Sequence, residues 1–344
     1  MTTFSLIQTL ADLRGVSGRE GGAAAAVREL LLPYCPDCVC RDGEVIGHIG
    51  GEKNPEKPTL LLCAHIDQVG FFVTDITEDG FLRIGNVGGI DNRLLLGQAV
   101  KIMGSEPMYG VISILPPHLL QGEQAVPDTD KLCVDIGYSS ADALKGKIRR
   151  GDAVYYDTTC KPLQNDRVTG SALDDRCGIA ALVLAAKALS EEPSLPCNVA
   201  IVCCTQEERS GHKGARMAAA MENPDYAIAV DVTFASGTAD SGDDCYTLGG
   251  GPAIGISSVL DAEMSDKLIA VAENAKIPYQ LEIMPESTGT DADALAICGA
   301  GGTKAATVSI PQRYMHTPVE VISTKDVEET AALLVAFAKE CGRE

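Results

Sequence analysis

Apolar residues along this chain follow two rhythms that alternate. Short continuous runs read as strands buried on both faces: Thr59-Leu-Leu-Leu-Cys-Ala64, Asn198-Val-Ala-Ile-Val-Cys-Cys204, Tyr226-Ala-Ile-Ala-Val230 and Ala305-Ala-Thr-Val-Ser-Ile310. Around them the spacing turns helical, over residues 4–14, 21–32, 177–189, 213–221, 264–275, 291–298 and 326–339. Strands alternating with helices predict an α/β core. Between residues 72 and 160 the helical period fades. Short β-like pieces remain at 81–84, 99–103, 110–115, 132–136 and 153–156, separated by Gly, Asp and Pro. The pattern therefore predicts a catalytic-size α/β domain from 1–71 and 161–344, interrupted by a smaller all-β domain at 72–160.

Composition narrows the function classes. The 344 residues suffice for a large core plus a second unit, and no apolar run reaches the roughly 18 residues of a membrane span. Lys+Arg 28 against Asp+Glu 48 leaves a net charge of −20, which repels polyanions, so neither nucleic acid nor membrane is an expected partner. A negative field favours encounter with cations such as metal ions and free amino groups. The N-terminal residues lack a basic, then apolar, secretory pattern, so the 13 cysteines are expected as reduced thiols in the cytoplasm. Cys63, Cys203 and Cys204 lie in strand-like runs, where thiols act as small hydrophobes, and Cys35-Pro-Asp-Cys38-Val-Cys40 has no second CxxC to complete a zinc ribbon.

Metal-binding side chains recur where strands end or helices begin. They are His65 and Asp67 after the first buried run, Asp174-Asp175-Arg176 before a helix, Glu207-Glu208 after the second run, Asp231 closing the third, and His316 after the fourth. Singly, each has a structural explanation: Asp174-Asp175 as an N-cap, Glu207-Glu208 as an acidic first turn, His65 as a core histidine. Their shared placement is the informative feature, because ligand crevices of open α/β sheets lie beyond the C-terminal strand ends. Imidazole nitrogen and carboxylate oxygen suit zinc-like ions, and the donor count suits two of them. The arrangement expected has Asp174 bridging, His65 and Asp231 on one ion, and Glu208 and His316 on the other. Glu207, facing away from Glu208, is then free to act as general base on the nucleophilic water. Asp67 is expected to orient the His65 imidazole, and Asp175 to pair with Arg176. His48, His118 and His212 are left as structural or cavity-edge residues.

Ala64-His65-Ile-Asp67-Gln-Val-Gly70-Phe, Ala172-Leu-Asp174-Asp175-Arg176-Cys-Gly178, Thr205-Gln-Glu207-Glu208, Val230-Asp231 and Arg313-Tyr-Met-His316-Thr-Pro318-Val-Glu320 form an ordered set. This set resembles the metallo-aminopeptidase family of tetrahedral, glutamyl and deblocking aminopeptidases. The likeness extends to Pro116-Pro-His118-Leu-Leu120 and Gly289-Thr-Asp291-Ala, and so to nearly the whole chain. It implies a phosphorylase/hydrolase-like mixed sheet with helices on both faces and a PDZ-like or barrel-like insert used in dimerisation and oligomerisation. It also implies two divalent ions per chain (zinc or cobalt, with manganese as an alternative), and self-association into a hollow homododecamer built from dimers. The family's ligands fall on His65, Asp174, Glu208, Asp231 and His316, its base on Glu207 and its supporting acid on Asp67. Gln68 stands where members commonly carry Glu, and residues 209–213 form a segment about one residue longer than usual. The expected activity is hydrolysis of N-terminal residues from short peptides by a metal-activated hydroxide. A different amide or glycoside substrate, or a weakly active scaffold, is the alternative.

Overall fold

The computed structural model describes residues 1–114, 127–209, 211–237, 245–299 and 302–342. Leu115, the 116–120 motif with His118, and Ser210 of the 209–213 segment lie outside the described residues. The chain opens with α1 (Thr3–Ala11), α2 (Gly21–Leu31), β1 (Val39–Arg41), β2 (Glu44–His48) and β3 (Thr59–His65). Six strands follow: β4 (Gly70–Ile76), β5 (Leu82–Val87), β6 (Ala99–Met103), β7 (Pro107–Ile112), β8 (Cys133–Asp135) and β9 (Ala153–Tyr156). Then come β10 (Lys161–Pro162), β11 (Arg167–Gly170), α3 (Leu173–Ser190), β12 (Asn198–Cys204), α4 (Lys213–Glu222) and β13 (Tyr226–Phe234). The last stretch carries β14 (Ala253–Ser257), α5 (Ala262–Ala275), β15 (Gln280–Met284), α6 (Asp291–Ile297), β16 (Lys304–Arg313), β17 (Glu320–Ser323) and α7 (Thr324–Glu340).

An 11-stranded mixed sheet runs β1-β2-β12-β3-β13-β16-β17-β11-β10, with β14 and β15 branching from β16. Its centre, β12-β3-β13-β16, is parallel, and β2 and β17 flank it antiparallel. Central strands have apolar side chains on both faces because both faces are covered. One face packs against α1, α2, α3, α5 and α7. The other packs against the small residues of α4 and α6, including Ala215, Ala218, Ala219, Ala292 and Leu295. Side-chain caps start three of these helices: Thr2 accepts from the Ser5 amide at α1, Asp261 from the Met264 amide at α5, and Thr290 from the Ala292 amide at α6.

The six strands between Gly70 and Tyr156 close into a barrel, β4-β5-β8-β7-β6-β9, around its own core of Phe71, Ile84, Val100, Ile102 and Val134. Its third hairpin strand occupies 107–112 rather than 110–115. The turn sets this, since Met103 pairs with Pro107 and the strand must begin directly after it. Asp231 lies inside β13, not at its end, because pairing with β16 continues to Phe234↔Gln312. Among the described residues no helix is long and apolar enough to cross a membrane.

His48, at the end of β2, ties the sheet edge to α4. Its Nδ1 lies 2.6 Å from Asp37 Oδ2 and its Nε2 2.9 Å from Glu222 Oε2. The Glu222 contact raises the imidazole pKa above its ordinary value, burial opposes this, and Asp37 adds to it. A histidine with a raised folded pKa stabilises fully below its unfolded value of 6.5 and loses that contribution as pH rises through the folded value. Glu222, held below its ordinary pKa despite burial, loses its share as pH falls. The stability gap between wild type and His48→Gln, from denaturant unfolding across pH, should be widest in mild acid and narrow on the alkaline side. A gap constant from about pH 5 to about pH 9 would contradict this linkage.

Candidate metal centre

The parallel strands bring their C-terminal ends to one side of the sheet. His65 is the last residue of β3, and Glu207 and Glu208 follow β12 in the turn that leads toward α4. Their register places Cys204 beside His65, so the two ends are neighbours. Asp231 points from β13, and His316 follows β16. Asp174 comes from the first turn of α3. Ala172, Gln206 and His316 have φ values of 62°, 57° and 61°, a left-handed conformation uncommon in residues with a Cβ and characteristic of functional loops.

The Asp174 carboxylate occupies the middle. Its Oδ1 is 3.0 Å from His65 Nε2, and its Oδ2 is 3.3 Å from His316 Nε2. His65 Nε2 is also 3.8 Å from Asp231 Oδ1 and 3.9 Å from Glu207 Oε2. Glu208 Oε2 approaches His316 Nε2 to 3.3 Å. Two donor sets result, His65–Asp174–Asp231 and Asp174–Glu208–His316, each with its atoms within 4.8 Å of one another. They share Asp174. Glu207 points differently from Glu208: its Oε1 lies 3.6 Å from His212 Nδ1.

Supporting contacts fix these groups. His65 Nδ1 lies 3.0 Å from the Asp67 carbonyl oxygen, which can only accept, so in the neutral ring Nδ1 carries the proton and Nε2 faces Asp174. The Asp67 carboxylate is 3.6 Å from the same Nδ1. Its main contacts are elsewhere, for it accepts from the amides of Glu207 (3.0 Å) and Glu208 (3.1 Å). Asp67 thus clamps the turn that bears both glutamates. Glu320, whose role the sequence did not disclose, is its counterpart on the other side. Its Oε2 accepts from the amides of Leu173 (2.7 Å) and Asp174 (3.3 Å), and its Oε1 from the His316 amide (3.1 Å).

Two neighbours of the motif behave otherwise than expected. Asp175 and Arg176 form no ion pair. Asp175 accepts from the amides of His65 (3.2 Å) and Gly178 (3.0 Å). Arg176 reaches the opposite way, donating to the carbonyls of Ile66 (2.7 Å) and Leu10 (2.9 Å), because adjacent residues project in different directions. Gln68 also turns away, its Oε1 accepting from the Gly15 amide at 3.4 Å. His212 stands at the cavity edge, its Nδ1 3.3 Å from Asp291 Oδ1.

Electrostatics here reflect acid crowding. Burial pushes the Glu207 pKa up; His65 opposes it, Asp291, Glu208 and Asp174 reinforce it, and the result is about 9. Burial likewise holds Asp231, Asp175 and Glu320 well above the usual carboxylate range. Asp174 and Asp67 are the exceptions. Burial would raise both, yet contacts with His316 and His65 hold Asp174 well below that range, and His65 and the Glu207 amide hold Asp67 below its ordinary value. Burial would lower the pKa of His316, but Asp174 and Glu208 lift it to about 11. Three buried acids and two imidazoles brought this close need compensating positive charge. Oε1 of Glu208 is buried without a partner, as expected of an atom meant for a cation. Divalent ions of the zinc class fit this donor chemistry.

The donors open onto a cavity of about 490 Å³ bounded by Gly89, Arg209, Thr233, Phe234, Glu282 and Met315. The barrel reaches this wall through Gly88, whose φ of 83° suits glycine and whose added Cβ would stand 2.6 Å from Val69 Cγ1 and 3.4 Å from Glu208 Oε2.

The family model for M42 glutamyl aminopeptidase matches residues 43–333. The lysyl aminopeptidase of Pyrococcus furiosus is 32% identical, covering 99% of this chain and 98% of that protein. Among solved structures, an aminopeptidase from the archaeon Desulfurococcus kamchatkensis superposes with a TM-score of 0.90 at 34% identity, covering 98% of this chain and 95% of that one. The Pyrococcus horikoshii TET1 peptidase, which assembles into a tetrahedron or a large octahedral shell, gives a TM-score of 0.87 at 29% identity, covering 98% of this chain and 100% of that one. With its metal-type donor sets and its sheet-plus-barrel fold, the chain belongs to the M42 glutamyl aminopeptidase family of metallo-aminopeptidases.

Proposed function

We propose that this aminopeptidase uses two divalent ions to remove N-terminal residues from short peptides, with Glu207 as general base. The observation that carries the reading is the Asp174 carboxylate, which offers one oxygen to each of two donor sets. His65 and Asp231 would hold one ion, Glu208 and His316 the other, with Asp174 between them. Zinc or cobalt suits these nitrogen and oxygen donors, and manganese is an alternative. When bound, such a pair supplies Lewis-acid polarisation of the scissile carbonyl and generates a nucleophile from water at neutral pH.

The chain's own groups do the rest. Glu207 takes the proton of the attacking water and delivers it to the leaving amine; burial raises its pKa, and neighbouring cations would bring it back toward neutrality, so that the carboxylate is ionised when it acts. Asp67 keeps it in place through the backbone amide. An acid-lined cavity favours the cationic α-amine of a peptide's first residue, and the overall charge of −20 aids its approach. Basic and neutral first residues should therefore be preferred over acidic ones. Thirteen unpaired cysteines suit a reducing cytoplasm.

We infer a homododecamer built from dimers, with the 72–160 insert carrying subunit contacts. In support, Tyr109, Val111 and Ile114 of the barrel and Leu281 and Ile283 of β15 are exposed apolar side chains, and the P. horikoshii relative forms large closed shells. A solution mass of one or two chains by analytical ultracentrifugation would contradict this.

Activity is tested with aminoacyl-anilides and N-acetylated controls after chelation and re-addition of Zn²⁺, Co²⁺ or Mn²⁺. Cleavage should vanish on chelation, return with metal, and spare the acetylated substrates. Chelator-resistant turnover would refute the metal-dependent reading. Glu207→Gln should retain wild-type metal content while kcat falls by about 10²–10⁴-fold. Near-normal kcat in that variant would remove the base assignment.

A further inference from the structure

A second group of potential ligands lies on the sheet face covered by α4 and α6, apart from the cavity donors. Cys63 of β3 and Cys204 of β12 sit on adjacent parallel strands, both fully buried within the same apolar cluster. Asp291, the first residue of α6, is also buried, and its carboxylate and the two thiol sulfurs lie within 4.8 Å of one another. Glu44 comes from the other side of β12. The antiparallel register Val45↔Cys203 sets Glu44 next to Cys204, and the residue is only 1% exposed.

Three of the four carboxyl oxygens of these acids have nothing to bind. Neither oxygen of Glu44 has a hydrogen-bond partner, and neither does Oδ2 of Asp291. Among the described residues no cationic side chain forms an ion pair with Glu44, and Lys213 acts on it only from farther away, with a weaker effect than burial and Asp291. Gly214 packs against this corner: an added Cβ would stand 2.4 Å from Thr205 N and 3.0 Å from Glu44 Oε2. Burial raises the Glu44 pKa to about 8, so at neutral pH its carboxyl keeps its proton and is a buried polar group without a partner. A Cys63–Cys204 disulfide would leave both Glu44 oxygens and Asp291 Oδ2 as they are. A coordinated cation would partner them, the Glu44 proton leaving to solvent.

We propose that Cys63, Cys204 and Asp291, with the Glu44 carboxyl beside Cys204, form a third divalent-metal site, separate from the catalytic pair and selective for thiolate-binding ions such as Zn²⁺. Two sulfurs with carboxylate oxygen are a donor set that zinc-class ions accept and magnesium-class ions do not. On binding, the two thiol protons leave to solvent and two sulfur–metal bonds form. The bound ion would pin the ends of β3 and β12, which carry His65 and the Glu207–Glu208 turn, to α6. Asp291 Oδ1 would stay with His212, whose ring also approaches Glu207. The site is thus built to stiffen the floor beneath the catalytic donors.

The test uses Co²⁺, because only sulfur ligation produces a thiolate-to-cobalt charge-transfer band in the near ultraviolet, and the catalytic donors contain no sulfur. Reduced full-length protein is loaded with Co²⁺, and the band and the bound metal per chain are measured. The expected result is a band in the wild type, and loss of both the band and one metal equivalent in Cys63→Ser/Cys204→Ser. Absence of the band in the wild type overturns the proposal. So does a band that survives the double substitution, since it would belong to other thiols such as Cys35 and Cys38. Should that variant fail to fold, Glu44→Gln replaces it. Its band should then require at least about tenfold more cobalt, and an unchanged titration would overturn the site as stated. Because the count is a difference of one equivalent, the outcome does not depend on how many ions the catalytic donors hold.

Discussion

Each oxygen of Asp174 faces a different imidazole, and most of what surrounds the site serves that arrangement. Glu320 holds the Asp174 and His316 amides with one carboxylate, while Asp67 holds those of Glu207 and Glu208 with another. Asp175 anchors the His65 amide. Acids therefore appear in two capacities: some present oxygens to the cavity, and others spend theirs on backbone amides that aim the first kind. A carboxyl group accepting two or three backbone N–H groups ties distant segments together, and such bonds are stronger than neutral ones when the group is ionised.

The fold makes this affordable. Parallel β12, β3, β13 and β16 end on one side of the sheet, so His65 and His316, far apart in the chain, meet at Asp174 without any long loop having to find its way. Burial then intensifies every interaction, for good and ill. It raises Glu207 toward a base with strong proton affinity, and it makes the crowd of acids unstable without cations. The barrel contributes through Gly88 and Gly89, which bring its rim against Glu208 and His316. Insert and catalytic sheet therefore share one cavity wall.

Much of this was legible in the chain because buried parallel strands advertise themselves. Thr59–His65 and Asn198–Cys204 are buried almost throughout, with His65 closing the first and Glu207 and Glu208 in the turn after the second. Strands with a mixed character were invisible. Glu44–His48 begins with a buried acid, Ala253–Ser257 contains a glycine, and Gln280–Met284 lies at an edge with exposed side chains. The side chains that gather around Asp174 were readable from residue type and placement. The positioning acids Glu320 and Asp175 were not, since their role consists of amides supplied by distant segments. The supposed Asp175–Arg176 pair failed for a local reason: sequence neighbours diverge, and Arg176 is consumed by the carbonyls of Ile66 and Leu10.

At the centre stands the claim that Asp174 joins two cations. Anomalous diffraction from zinc-loaded crystals, recorded on both sides of the zinc absorption edge, addresses it directly. The account requires two zinc peaks roughly 3.5–4 Å apart, one flanked by His65 and Asp231 and the other by Glu208 and His316, with Asp174 between them. A single peak, or peaks that leave Asp174 uncoordinated, would contradict it.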